Sequence, residues 1–353
     1  AWILILLFLP IVGLVFYFFF GRSQRRERII GQKSYDRLLK KPMAEYMAQD
    51  CSDVPEEYAR LIQLFQHTNQ AFPFEGNRIA VYTEGYTKLQ SLLRELQKAK
   101  QHIHIEYYIF EDDAIGRLVR DVLIEKASQG VEVRVIYDDV GCWHVPNRFF
   151  EEMRNAGIEV RSFLKVRFPL FTSRVNYRNH RKIVVIDGRI GFVGGMNLAE
   201  RYMRGFSWGI WRDTHILIEG KAVHGLQTAF LLDWYFVDRT LITASRYFPK
   251  IESCGSSLVQ VVTSEPIGPW KEIMQGLTMA INGAKKYFYM QTPYFLPTEQ
   301  VLAAMQTAAL AGVDVRLMLP ERADNRITHL GSHSYLADVM QAGVKVYFYK
   351  KGF

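Results

Sequence analysis

The sequence predicts an α/β protein of two similar halves with mixed, largely parallel sheets, preceded by a transmembrane helix. Three observations predict it. Residues Ala1 to Phe20 carry no charged side chain. Segments of strand and helix length alternate between residues 99 and 163, the signature of βαβ units. The same pattern returns about 185 residues further on.

The first element is the apolar run. At ~1.5 Å rise per residue it reaches roughly 30 Å, the thickness of a bilayer core. Pro10 and Gly13 are compatible with a helix in lipid. A cleaved signal peptide would have a basic region in front and an A-x-A site behind, and neither is present. Arg22, Arg25, Arg26, Arg28 and Lys33 follow at once. That flank places the following residues on the cytoplasmic side and suits anionic headgroups. The chain begins with Ala and has no loop before the helix, so a further piece upstream is expected. The domain reading is residues 1–20 as the spanning helix and 21–57 as a basic juxtamembrane linker and helix. Residues 58–250 form a first α/β half and 251–353 a second.

Within the first half, strands are expected at His102–Phe110, Val131–Asp138 and Ile158–Phe163. Helices are expected at Ala114–Ser128 and Arg148–Asn155. The second half repeats them, with a strand from Ala284-Lys285 through Phe295 and a helix over Glu299–Ala311. Gly312-Val313-Asp314-Val315-Arg316 echoes Gly130-Val131-Glu132-Val133-Arg134. Ala342-Gly343-Val344-Lys345-Val346 echoes Ala156-Gly157-Ile158-Glu159-Val160. The spacing is too long for a solenoid and points to a duplicated half.

Composition narrows the partners. The 353 residues are 49% hydrophobic, which excludes a disordered chain. Cys51, Cys142 and Cys254 are far apart and lack CxxC spacing, which argues against a disulfide framework or a cysteine metal site. The net charge of +8 favours an anionic partner.

The chemistry concentrates in Asn179-His180-Arg181-Lys182-Ile183-Val184-Val185-Ile186-Asp187-Gly188. Lys182 to Ile186 is β-branched and reads as strand. Side chains two apart on a strand share a face, so His180 and Lys182 point the same way. Asp187-Gly188 is a turn signal. The return strand Arg189–Val193 runs into Gly194-Gly195, where paired glycines let the backbone approach a ligand, with Asn197 two residues on.

HxKxxxxD followed by GG and N resembles the HKD signature of the phospholipase D superfamily, carried here by His180, Lys182, Asp187, Gly194, Gly195 and Asn197. Within it the likeness is to bacterial cardiolipin synthases, through Trp211-Arg212-Asp213-Thr214-His215, Gln291-Thr292-Pro293-Tyr294-Phe295 and the apolar run with its basic flank. The resemblance implies phospholipase D-like halves and phosphatidyl transfer between two phosphatidylglycerol molecules. It implies His180 as nucleophile, with Asp213, or less favoured Glu219, orienting its imidazole. Lys182 and the Asn197 amide would hold the phosphoryl oxygens, with Gly195 allowing close approach. Asp187 belongs to the catalytic motif, but its place at the turn suits a structural tie. A second histidine would protonate the leaving alkoxide. No cofactor, metal or nucleic acid is implied. The implied partners are phosphatidylglycerol and anionic lipid at the bacterial inner membrane, with homo-oligomer formation open.

The superfamily pattern uses two motifs per site, and this sequence holds one. The repeat would put the second just after Val346-Tyr347-Phe348-Tyr349, so a truncated chain is expected, inactive until extended at its carboxyl end. His329 and His333 stand at i,i+4 spacing without an adjacent third ligand, which favours ordinary surface or core histidines over a metal pair. His102 and His104 alternate on a strand and either line the pocket or pack beneath it. Trp143, Phe168, Phe171, Trp208 and Trp211 are candidates for a membrane-facing rim. Exchange of Phe168 and Phe171 for Asp would weaken vesicle association. The rival readings are a phospholipase D-type hydrolase or nuclease, and an inactive lipid-binding scaffold.

Overall fold

The computed structural model describes residues 54–165, 178–264 and 269–353, together with Ile11 and Gly13. The expected spanning helix at 1–20, the basic flank and the Phe168/Phe171 loop lie outside the described residues. Among the described residues no helix is long and apolar enough to cross a membrane.

After helix α1 (Glu56–Asn69) come strand β1 (Pro73–Tyr82) and α2 (Gly85–Lys98). Next are β2 (His102–Tyr107), α3 (Ala114–Ser128) and β3 (Glu132–Asp138). Then follow α4 (Asn147–Asn155), β4 (Glu159–Phe163), β5 (Lys182–Ile186) and β6 (Ile190–Gly194). The short α5 (Arg201–Arg204), β7 (His215–Glu219), α6 (Val223–Asp238) and β8 (Ser257–Gln260) complete the first sheet and its covers. Eight strands pair in the order β4-β3-β2-β5-β6-β7-β1-β8.

That sheet corrects the expectation of a largely parallel arrangement. Only β2–β3 and β3–β4 are parallel, and the other five pairings are antiparallel. The reason is local. β5 and β6 are joined by the tight turn at Asp187 (φ 52°) and Gly188 (φ 65°), which forces an antiparallel return, whereas parallel neighbours need a helical crossover. The strands after β5 carry no such crossover until α6.

The second part holds α7 (Glu272–Gly283), β9 (Tyr287–Gln291), α8 (Glu299–Leu310), β10 (Asp314–Pro320), α9 (Arg326–Ser334), α10 (Leu336–Gln341) and β11 (Lys345–Tyr349). Its three strands are all parallel, in the order β11-β10-β9. This matches β4-β3-β2 in order, and the register matches too. Arg134 pairs with Glu159, and the equivalent Arg316 pairs with Lys345. The echoed glycines explain the sequence repeat. Gly130, Gly157, Gly312 and Gly343 all sit at φ between 86° and 96°, where a helix ends and the next strand begins. An L side chain there costs about 1 kcal/mol.

Both faces of the sheet are covered, which is why β2 and β5 are buried along their whole length. On one face Ile103, Ile105, Val184 and Leu217 pack under α2, α3 and α4. On the other Ile183, Val185 and Ile218 pack under α6. Each such side chain contributes about 1.5–3 kcal/mol by leaving water. The segment after β11 closes on the loop before β7: Ile210 donates its backbone N–H to Lys351 (3.0 Å), and Arg212 donates to Phe353 (2.7 Å).

Candidate active site

Alternation along the chain entering β5 builds the site. Asn179 and Arg181 point toward α6. The Asn179 side-chain amide donates to Glu106 and to Asp233 (3.1 Å), and Arg181 pairs with the same Asp233 carboxylate. Glu106 is fully buried. Burial and the neighbouring Asp233 charge hold its carboxyl well above the usual carboxylate range. Pinned on both flanks, His180 projects to the opposite side.

There it meets Lys182. The lysine, 2% exposed, donates to the His180 carbonyl at 2.7 Å and to Nδ1 of the ring at 3.1 Å. An ammonium is only a donor, so Nδ1 accepts and the ring proton lies on Nε2. His180 keeps solvent contact, while its ring packs 4.6 Å from Tyr108. Partial burial, then the Lys182 charge, lower the imidazole to about 4. Burial lowers Lys182 to about 8, against the opposing pull of Asp213, Asp138 and Glu106. Near neutral pH the pair is thus a neutral imidazole beside an ammonium.

The remaining motif residues occupy distinct places. Asp187 sits at the far end of β5, some five residues or roughly 16 Å from Lys182. Its carboxylate accepts from the backbone N–H groups of Lys100, Gln101 and His102 at 2.8–2.9 Å. Asn197 is buried, accepts from the Ile109 N–H at 3.0 Å and donates to the Tyr202 hydroxyl. Gly195 gives its N–H to the Thr214 carbonyl. A Cβ on Gly195 would lie 2.0 Å from the Asp213 carboxylate, so the glycine makes room for that side chain. Asp213 in turn accepts from the Thr214 N–H at 2.6 Å, and burial raises its carboxyl, with the Lys182 charge opposing. Among the described residues no hydrogen bond joins Asp213 to His180. Glu219 lies at the opposite end of β7, paired with Arg78 at 3.0 Å.

His102 and His104 pack beneath α6, where both rings bond Gln227, and they do not line the cavity beside His180. The His329 and His333 rings lie 4.1 Å apart on α9, tilted by 51° to one another. Trp208 stacks on Phe206, and Trp211 packs between Tyr202 and Phe353, while Trp143 is exposed. The sequence reading missed Tyr108 and the Glu106–Asp233 pair. The signal for Asp233 was present: it is one of two acids in the largely apolar α6.

A solvent-touching imidazole against a buried ammonium, held at a strand end of a duplicated α/β design, is the arrangement of the phospholipase D-like class. The family description "Cardiolipin synthase, PLD-like domain" matches residues 92–234 and 277–353. A cardiolipin synthase of Geobacillus kaustophilus is 41% identical over 359 residues, covering all of this chain and 72% of the relative. The major cardiolipin synthase of Bacillus subtilis is 38% identical over 365 residues, covering all of this chain and 76% of the relative. Among solved structures, a phosphatidylserine synthase from Haemophilus influenzae shares the fold with a TM-score of 0.55 at 12% identity, covering 84% of this chain and 79% of that one. The chain belongs to the cardiolipin synthase family of phospholipase D-like proteins.

Proposed function

We propose that the protein makes cardiolipin by moving a phosphatidyl group from one phosphatidylglycerol to another. The observation that carries the reading is the contact between Lys182 and His180 at 3.1 Å, beside a cavity both residues line. Lys182 grips a phosphoryl oxygen. As the ammonium turns toward the phosphate it releases Nδ1, and the ring is free to shift its proton and present a lone pair. The imidazole nitrogen attacks phosphorus, the bond from phosphorus to the glycerol oxygen breaks, and glycerol leaves with a proton from a general acid. The hydroxyl of the second phosphatidylglycerol then attacks phosphorus, the nitrogen–phosphorus bond breaks, and the hydroxyl proton passes to the conjugate base. Asp213 acts through its negative charge near Lys182 and by orienting the imidazole as it becomes cationic. Asn197 and Gly195 shape the loop over the phosphate. Residues 1–20 anchor this chemistry at the bacterial inner membrane, with the catalytic region on the cytoplasmic face.

Two outcomes are expected. In phosphatidylglycerol vesicles the full-length protein releases glycerol and cardiolipin in equal amounts; phosphatidic acid as the main product would indicate water as acceptor and contradict transfer. The pH profile of kcat/KM follows the pair. Activity needs His180 neutral, so it rises as pH climbs through about 4. It needs Lys182 charged, so it falls as pH climbs through about 8. Lys182→Arg, which stays charged at every accessible pH, moves the alkaline limb upward even where it lowers the plateau.

A further inference from the structure

The Asn197 amide is buried and held at both ends. Its Oδ1 accepts from the Ile109 backbone N–H at 3.0 Å, and its Nδ2 donates to the Tyr202 hydroxyl. A backbone N–H is only a donor, so it must face the amide oxygen, and this settles which end of the amide is which. The Tyr202 hydroxyl takes one of the two Nδ2 protons and fixes the rotation of the amide plane. The second proton is left for a phosphoryl oxygen.

Tyr202 is itself braced. It is buried on the short α5, whose backbone presses on the start of α2: a Cβ on Gly85 would lie 2.1 Å from the Tyr202 carbonyl oxygen. Its ring lies 4.6 Å from that of Trp211, and Trp211 packs 4.9 Å from Phe353. Phe353 in turn donates its backbone N–H to the Ile210 carbonyl at 2.8 Å. A line of contacts thus runs from the segment after β11 through Trp211 and Tyr202 to the motif amide. Phenylalanine at position 202 would fill the same space and keep the ring contacts. The oxygen therefore serves its polar partners, Asn197 and Arg201.

We propose that Tyr202 is a positioning residue for the reaction: by holding the Asn197 amide it aims the free Nδ2 proton at the phosphoryl oxygen that gains charge as the imidazole attacks. The inference rests on the phosphatidyl-transfer reading and deepens it. A donor aimed beforehand needs no reorganisation at the moment of reaction, so its effect falls on kcat more than on binding.

Tyr202→Phe in the full-length protein tests it. The variant should lower kcat for cardiolipin formation by about five- to tenfold, the size of one lost hydrogen bond, with KM within about twofold. Its thermal midpoint should stay within about 3 °C of wild type. Because Tyr202 acts through Asn197, the same substitution in an Asn197→Ala background should change kcat by less than about twofold. A tyrosine that serves only the fold, or acts through Arg201, would carry its full loss into that background. That result overturns the proposal, as does an unchanged kcat in the single variant or a loss confined to KM. Cleavage of bis(p-nitrophenyl) phosphate by the same variants separates this role from the lipid reading. If wild type cleaves that diester and makes no cardiolipin, phosphatidyl transfer fails and the same cycle on the diester decides the role of Tyr202. If wild type makes cardiolipin and Tyr202→Phe matches it, the positioning role fails and transfer stands.

Discussion

Replacing His180 with alanine in the full-length protein is expected to lower phosphatidyl transfer by about 10⁴-fold or more, with the thermal midpoint within about 2 °C of wild type. The size follows from the role. A nucleophile that splits one hard displacement into two easier ones cannot be replaced by water held at random, and its removal costs as much as dismantling the catalytic group around it. The small stability effect follows from the surroundings. His180 is exposed, and Asn179 and Arg181 on either side are anchored by Glu106 and Asp233, so the strand entry keeps its path without the ring. Lys182 would lose one acceptor and keep the backbone carbonyl of position 180 at 2.7 Å, since alanine supplies the same oxygen. Transfer activity and circular-dichroism melts on the same preparation check both halves. Activity within tenfold of wild type, in a folded protein, would remove His180 from the reaction.

The second large effect is on stability rather than rate. Asp187→Ala should lower unfolding free energy by about 3 kcal/mol, and the thermal midpoint by roughly 4 °C. Three backbone N–H groups at the start of β2 lose one charged acceptor, and each bond to a charged group is worth about 1.5–3 kcal/mol when water does not replace it. Two of the three donors are exposed enough for water to substitute, which keeps the total below the simple sum. Alanine also fits poorly at φ 52°, adding about 1 kcal/mol. Asp187→Asn keeps an oxygen acceptor and tolerates the left-handed backbone, so it should lose about half as much. Below the melting transition both variants should keep kcat/KM within about threefold, because the carboxylate lies a strand's length from Lys182. A large rate loss at unchanged melting temperature would give Asp187 a part in the chemistry.

The contrast between His180 and Asp187 shows what the sequence could and could not reveal. The motif places both residues in one signature, and period-two alternation correctly puts His180 beside Lys182. That step is local, and local geometry on a strand is fixed by the backbone. The tie made by Asp187 joins residues more than 80 positions apart, which spacing does not encode. Glu106 and Asp233 are a further case: 127 residues separate them in the sequence, and they meet across Asn179 only because β2 and α6 flank the same end of β5. Asn197 was readable as a polar residue near the glycines, but its engagement by Ile109 and Tyr202 depends on the fold.

The fold divides in the same way. The βαβ segments and their echo were legible because helical crossovers leave long periodic patterns and because the four helix-ending glycines recur in order. The antiparallel side of the large sheet was not, since β6, β7 and β8 are runs of four or five residues whose pairing partners are set by tertiary packing.

The central claim is that the imidazole of His180 bonds to lipid phosphorus during turnover. Rapid quenching of the full-length protein with phosphatidylglycerol labelled at phosphorus, followed by peptide mapping, addresses it directly. The account predicts acid-labile, alkali-stable label on the peptide containing His180, formed no slower than cardiolipin and lost in His180→Ala. Label on another residue, or cardiolipin formed with no labelled protein at any time, would contradict it.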